Sequence, residues 1–219
     1  MATRWSPHPL AASATGAIRV DGLLTEASWR TATPITEFRQ REPVEGALST
    51  EATEVRIIAA GDVLYVGVIA RDTHPERIVS RILARDKVME TEFDGKPKFA
   101  GDDAIAILID PFHDHRNAFL FATNPNGAEF DAFLTDEGKE YNIDWRGIWT
   151  VAAKRTAEGW SAEFAIPFAR SAITATAARG VQRVPHDPPW QRGSPLARLG
   201  AGQRRDRARQ SRRPPRGAR

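Results

Sequence analysis

The chain is 219 residues long, contains no cysteine and carries a formal net charge of +3 with a pI near 9.6. Without cysteine no disulfide framework or thiolate metal site is available, so stability must come from burial or bound ions. No apolar stretch approaches the roughly 20 residues of a membrane-spanning helix, and the opening MATRWSPHPLAASATG lacks the continuous apolar segment of a signal peptide.

The net charge conceals an asymmetry. From Ser171 onward there are twelve Arg and two Asp, a charge of +10 that leaves −7 for residues 1–170. The high pI therefore belongs to the tail. A basic nucleic-acid-binding domain is excluded for the part able to fold, because an acidic surface repels phosphate. The length suits one sandwich or barrel of ordinary size.

In chain order, Ala17–Val20 alternates briefly before the turn pair Asp21-Gly22 and predicts a short edge strand. Thr25–Trp29 predicts one helical turn, capped by Thr25 and with Trp29 pointing inward. Pro34–Gln40 sets Ile35 and Phe38 near the core in a weak strand. Thr53–Ala59, the turn residues Gly61-Asp62, and Val63–Ala70 read as a hairpin rich in β-branched and aromatic residues. Neither face of its second arm is polar, which suits a central strand covered on both sides.

His74–Ala84 has Ile78, Ile82 and Leu83 at helical spacing and permits either a short helix or a crossing strand. The polar stretch 85–101 is expected to be a long surface loop. Strands resume with DDAIAILID, NAFLFATN, AEFDAFLTD, WTVAAKR and WSAEFAI, punctuated by turns. Such strands with almost no helix predict an all-β antiparallel sandwich, jelly-roll-like. There is no internal repeat. The expected organisation is a flexible N-terminus over 1–15, the sandwich over 16–170, and a disordered Arg/Pro-rich tail over 171–219.

With those strands placed, IRVDGLLTEASW, LYVGVIARD, DDAIAILIDPFHDHRNAFLFATNPNG and GWSAEFAIPF together resemble the family 9 carbohydrate-binding module superfamily. The shared skeleton is Ile18, Val20, Asp21, Gly22, Leu24, Glu26 and Trp29, then Asp72, Asp102-Asp103 to Asp110, the Asn-Pro-Asn-Gly turn, and the closing Gly-Trp strand. QREPVEG, FHDHRNAFLF, NPNGAEFDAFLTD and DWRGIW look closest to the N-terminal module of large bacterial exported or outer-membrane-associated proteins. The resemblance implies a non-catalytic sugar-binding domain, often attached to glycoside hydrolases, with an extracytoplasmic location and possible calcium. The alternative is a structural or protein-docking sandwich without sugar binding. After Phe168 the tail departs from the family pattern, as a frame-shifted or truncated reading frame would, and a missing final strand implies marginal stability or self-association.

Sugars are held by flat aromatic faces and by planar amides, carboxylates and Arg. Candidate carbohydrate-binding residues are therefore Trp145 and Trp149, flanking a glycine turn, with Arg116, Asn117, Asn124 and Asn126. Trp29 and Trp160 read as core. Arg116 is expected to pair with Asp114 or Asp131. Asp102 and Asp103 are the candidate calcium ligands, although no Asp-x-Asp-x-Asp-Gly loop exists. No acid pair or histidine set is distinctive enough to assign catalysis, and there is no Gly-x-Ser-x-Gly, phosphate loop or dinucleotide fingerprint. The expected partner is an oligo- or polysaccharide, with a covalently linked domain in the full-length gene and no specific nucleic acid.

Overall fold

A computed structural model describes residues 11–40, 44–86, 89–91, 97–99, 101–111, 114–168 and 178–184. Its strands are β1 (Ala11–Ser13), β2 (Thr53–Ala60), β3 (Val63–Arg71), β4 (Met89–Thr91), β5 (Pro97–Phe99), β6 (Ala104–Ile109), β7 (Ala118–Thr123), β8 (Glu129–Thr135), β9 (Glu140–Asn142), β10 (Thr150–Thr156), β11 (Gly159–Pro167) and β12 (Ala178–Val184). One short helix, α1 (Ala27–Thr31), is present among the described residues. No helix there is long and apolar enough to cross a membrane.

The strands form two five-stranded sheets, ordered β1-β2-β3-β11-β10 and β12-β6-β7-β8-β9, with a separate β4-β5 hairpin. Every pairing is antiparallel except β1 with β2. Successive side chains on a strand point to opposite faces, and this alternation builds the core. Val66, Val68, Trp160, Ala162 and Phe164 of the first sheet meet Ile105, Ile107, Ile109 and Phe121 of the second, all 0–2% exposed. Apolar area removed from water at about 25 cal/mol per Å² drives this closure. The all-β antiparallel sandwich expected from the sequence is what forms.

The 53–70 hairpin forms as expected, and both faces of β3 are covered. Its inner face joins the shared core, and its outer face carries Tyr65 against the cluster of Trp29, Ala32 and Ile58. That cluster explains one correction. Ala17–Val20 is not a strand, because Ile18 and Leu24 are recruited to pack over the outer face. The parallel edge is instead Ala11–Ser13, in register with Ile57–Ala59.

The helical turn is present, shifted to Ala27–Thr31, and its cap position is Glu26, with no side-chain capping bond from Thr25. Ile35 bridges Val55 and, with Phe38, lies half-buried against the core. Within 74–84 only Pro75–Arg77 turns, as a 3-10 helix, and Ile78–Leu83 runs without regular structure. The 85–101 segment, expected as one loop, contains the β4-β5 hairpin. Within the segment expected to be disordered, Ala178–Val184 pairs with β6, whose backbone would otherwise present an open edge beside the core. The remaining tail residues, with Trp5, Trp190, His8, His113 and His186, lie outside the described residues.

The residues of the family-like opening motif converge on one buried carboxylate. Glu163 is 0% exposed; its Oε2 accepts the amides of Asp21 (2.8 Å) and Gly22 (2.9 Å), and its Oε1 accepts Trp29 Nε1 (2.8 Å). Ser161 Oγ donates to the Gly22 carbonyl at 2.5 Å. Gly22 has φ +89°, and a Cβ there would stand 2.9 Å from the Ala153 carbonyl carbon, so only glycine lets the turn lie this close. Burial raises the Glu163 pKa against the opposing pull of those donors. Asp-Gly, Trp and the Gly-Trp strand thus have a shared structural task, which is to fasten the N-terminal segment over β3 and β11.

Candidate functional site

The alternation on β7 and β8 places Phe119 opposite Phe133, and Phe121 opposite Asp131, on the face turned toward the first sheet. Phe121 is sealed in the core, whereas Phe119 and Phe133 are half-buried, with ring centroids 5.1 Å apart. Trp145, also half-buried, stacks on Phe119 at 4.7 Å and 28°, and sets its edge against Phe121 at 6.0 Å. Three aromatic rings therefore sit together on the rim of the sandwich.

The segment bearing Trp145 is pinned from below. Asp131, 0% exposed, accepts the Gly147 amide through Oδ2 and faces Arg85 Nη2 at 3.5 Å through Oδ1. Arg85 Nη1 also reaches Glu129 at 2.5 Å, and the Asp86 amide donates to the Glu129 carbonyl at 2.7 Å. Arg146 Nη2 meets Asp86 at 3.1 Å, while its Nη1 donates to the carbonyls of Ile143 and Trp145. Two segments distant in sequence are thereby hooked across β8. A Cβ at Gly147 would lie 2.8 Å from the far edge of the Trp145 ring, so glycine is what admits the ring. Burial pushes the Glu129 carboxyl upward, opposed by Arg85.

Trp149 requires a correction. It is 5% exposed, stacked on Phe164 at 5.9 Å and edge-on to Phe121 at 5.2 Å, so no indole face is open to a ligand. It follows Trp145 by four residues, but the irregular stretch Arg146–Ile148 carries the chain from the rim to a place between the sheets.

Arg116 and Asn117 sit at the start of β7, beside the aromatic patch. Asp114 Oδ1 accepts both of their amides (2.7 and 2.9 Å), and Oδ2 accepts Asn117 Nδ2 at 2.6 Å. Those donors, the Asn117 amide first, hold the Asp114 carboxyl below its usual range. The Arg116 guanidinium is exposed and lies 3.6 Å from Asp136. The pairing expected with Asp131 does not form, because Asp131 is buried beneath the Trp145 segment.

Asn124 and Asn126 lie at the opposite end of β7, roughly 20 Å away at the rise of a strand. Asn124 is 0% exposed; it donates to the Ile82 carbonyl and Asp102 and accepts the amides of Asn126 and Ala128. Asn126 Nδ2 donates to the carbonyls of Ser80 and Ile82. Asp102 accepts the amides of Arg81 and Ile82, and Asp103 that of Val79 at 2.6 Å. The candidate calcium ligands and the turn asparagines are therefore a clamp on residues 79–82. A hard cation needs several free oxygens, whereas these carboxylates are occupied by backbone amides. No cluster of three or more His, Asp or Glu suited to a metal exists among the described residues.

Sequence reasoning missed Phe119, Phe133, Arg85, Asp86, Glu129 and Arg146, and named Asp131 only as a partner for Arg116. A signal was present for Asp131, an acid within the apolar run EFDAFL.

None of the protein-family models matches the chain, and no curated protein matches it significantly. Among solved structures it is similar to a family 9 carbohydrate-binding module from Caldicellulosiruptor kristjanssonii in complex with cellotriose. Identity there is 15%, coverage is 74% of this chain and 68% of that one, and the TM-score is 0.44. The structure of a module of that family from the same organism with glucose gives 13%, 78%, 71% and 0.44.

Proposed function

We propose that the chain is a non-catalytic carbohydrate-binding module whose contact surface is the rim formed by Trp145, Phe119 and Phe133. The observation that carries this reading is the half-buried Trp145, held by stacking on Phe119 and by the anchored Gly147 amide. Aromatic faces of this kind pack on the C–H surfaces of sugar rings. Arg116 and Asn117 on one flank, and Arg85 and Arg146 on the other, supply donors for ring hydroxyls. Fixed side chains lower the ordering cost of binding, which suits weak, aromatic-led attachment to a polysaccharide. The sequence resemblance supports the same reading, and with it an extracytoplasmic location and a covalently linked partner domain.

Pull-down on insoluble polysaccharides and a glycan array test it, with Trp145→Ala as the control. Retention that the substitution abolishes supports the assignment. A folded sample that binds no glycan supports the alternative, a structural or protein-docking sandwich.

A further inference from the structure

Residues 79–86 form neither helix nor strand, yet they are fastened at both ends. At one end the Asp102 and Asp103 carboxylates accept the amides of Val79, Arg81 and Ile82, while Asn124 and Asn126 donate to the Ser80 and Ile82 carbonyls. At the other end the Asp86 amide donates to the Glu129 carbonyl at 2.7 Å. This strap delivers Asp86 to the edge of the aromatic rim. Asp86 sits there with φ +63°, a left-handed conformation that most side chains avoid and that Gly, Asn and Asp accept most readily. Such backbone persists where the surroundings determine it, and it clusters at ligand-facing sites.

The Asp86 carboxylate faces two cations, with Oδ2 3.1 Å from Arg146 Nη2 and Oδ1 4.0 Å from Arg85 Nε. Nη1 of the same Arg146 guanidinium donates to the carbonyls of Ile143 (2.6 Å) and Trp145 (2.9 Å). A guanidinium is a rigid plane, so an anion that fixes one of its nitrogens also fixes where the other is aimed. From this chain of contacts we propose that Asp86 is a positioning residue of the rim. Through Arg146 it holds the segment bearing Trp145 in its stacked pose on Phe119, and it thereby couples the 79–86 strap to ligand affinity. Its bearing on affinity rests on the reading of the rim as a sugar-contact surface; its bearing on the pose of Trp145 does not.

Fluorine NMR of the full chain labelled with 5-fluorotryptophan tests this, the Trp145 signal among the six being assigned by its absence from Trp145→Phe. Asp86→Asn and Asp86→Gly both keep a residue suited to the left-handed backbone and remove the charge, so either one reads the pose in a folded chain. Each is expected to shift or broaden the Trp145 signal and to leave those of Trp29, Trp149 and Trp160 in place. In an Arg146→Gln background the Asp86 substitutions should move it no further, as expected of two residues that act through one contact. Titration with cellotriose is expected to show about a threefold weaker affinity in Asp86→Asn, the scale of a half-exposed ion pair. A chain that binds no cellotriose while its Trp145 signal moves counts against the sugar reading of the rim and supports the positioning by Asp86. A Trp145 signal unmoved in both variants, or moved as far when Arg146 is already Gln, would overturn the inference.

Discussion

Trp29 and Glu163, 134 positions apart in the chain, meet through a 2.8 Å hydrogen bond from the indole Nε1 to the carboxylate Oε1. With the Asp21 and Gly22 amides on the other oxygen, the carboxylate gathers three donors in a site closed to water. Glu163→Gln turns one acceptor into an NH2 group facing an N–H donor. A loss of about 2–3 kcal/mol is expected from the unsatisfied pair, read as a lower urea midpoint with an unchanged slope. A midpoint within error of the unmodified protein would count against a fastening role.

The same residue sets a direction for pH. Burial raises the folded-state pKa of Glu163 above its ordinary value of 4.5. The folded chain therefore holds a proton where the unfolded chain has lost it, and the stability from this linkage is fully present below about pH 4.5 and declines as pH rises through the folded value. Urea midpoints of the unmodified protein should fall relative to Glu163→Gln across the window above pH 4.5. Parallel curves would contradict the raised value.

Asp102 accepts two backbone amides and the Asn124 side chain at a 2% exposed position. Asp102→Ala should cost about 3 kcal/mol, because several buried donors lose their acceptor together. Millimolar calcium should leave the melting temperature of the unmodified protein unchanged. A rise of several degrees that Asp102→Ala removes would restore the cation reading.

The two tryptophans of DWRGIW should separate cleanly. Trp149→Ala opens a cavity between the sheets and should cost about 3–5 kcal/mol. Trp145→Ala removes a rim contact and should cost about 1–1.5 kcal/mol, the scale of an aromatic pair. Equal losses in thermal denaturation would place both rings in the core.

The hairpins were legible because each strand's alternation and turn residues are local properties. The partnership of Trp29 with Glu163 was not, since an acid inside the apolar run WSAEFAI takes its meaning from donors on a distant segment. For the same reason Asp102, Asp103 and Asn124, chosen by residue type as ligand-facing, turned out to clamp residues 79–82. Trp145 and Trp149 look equivalent in sequence, and only the irregular path of the chain between them gives one a place at the rim and the other a place between the sheets. The strand at Ala178–Val184 escaped notice because its residues carry no apolar alternation; it is fixed by the edge it covers.

Isothermal titration of the unmodified chain and of Trp145→Ala, with cellotriose and a panel of other neutral oligosaccharides, bears most directly on sugar recognition at the aromatic rim. Saturable heat with at least one glycan, weakened about tenfold or more by the substitution, which is roughly 1.4 kcal/mol, is the expected result. Absence of heat from a folded sample across the panel, or equal affinity in both proteins, would contradict it.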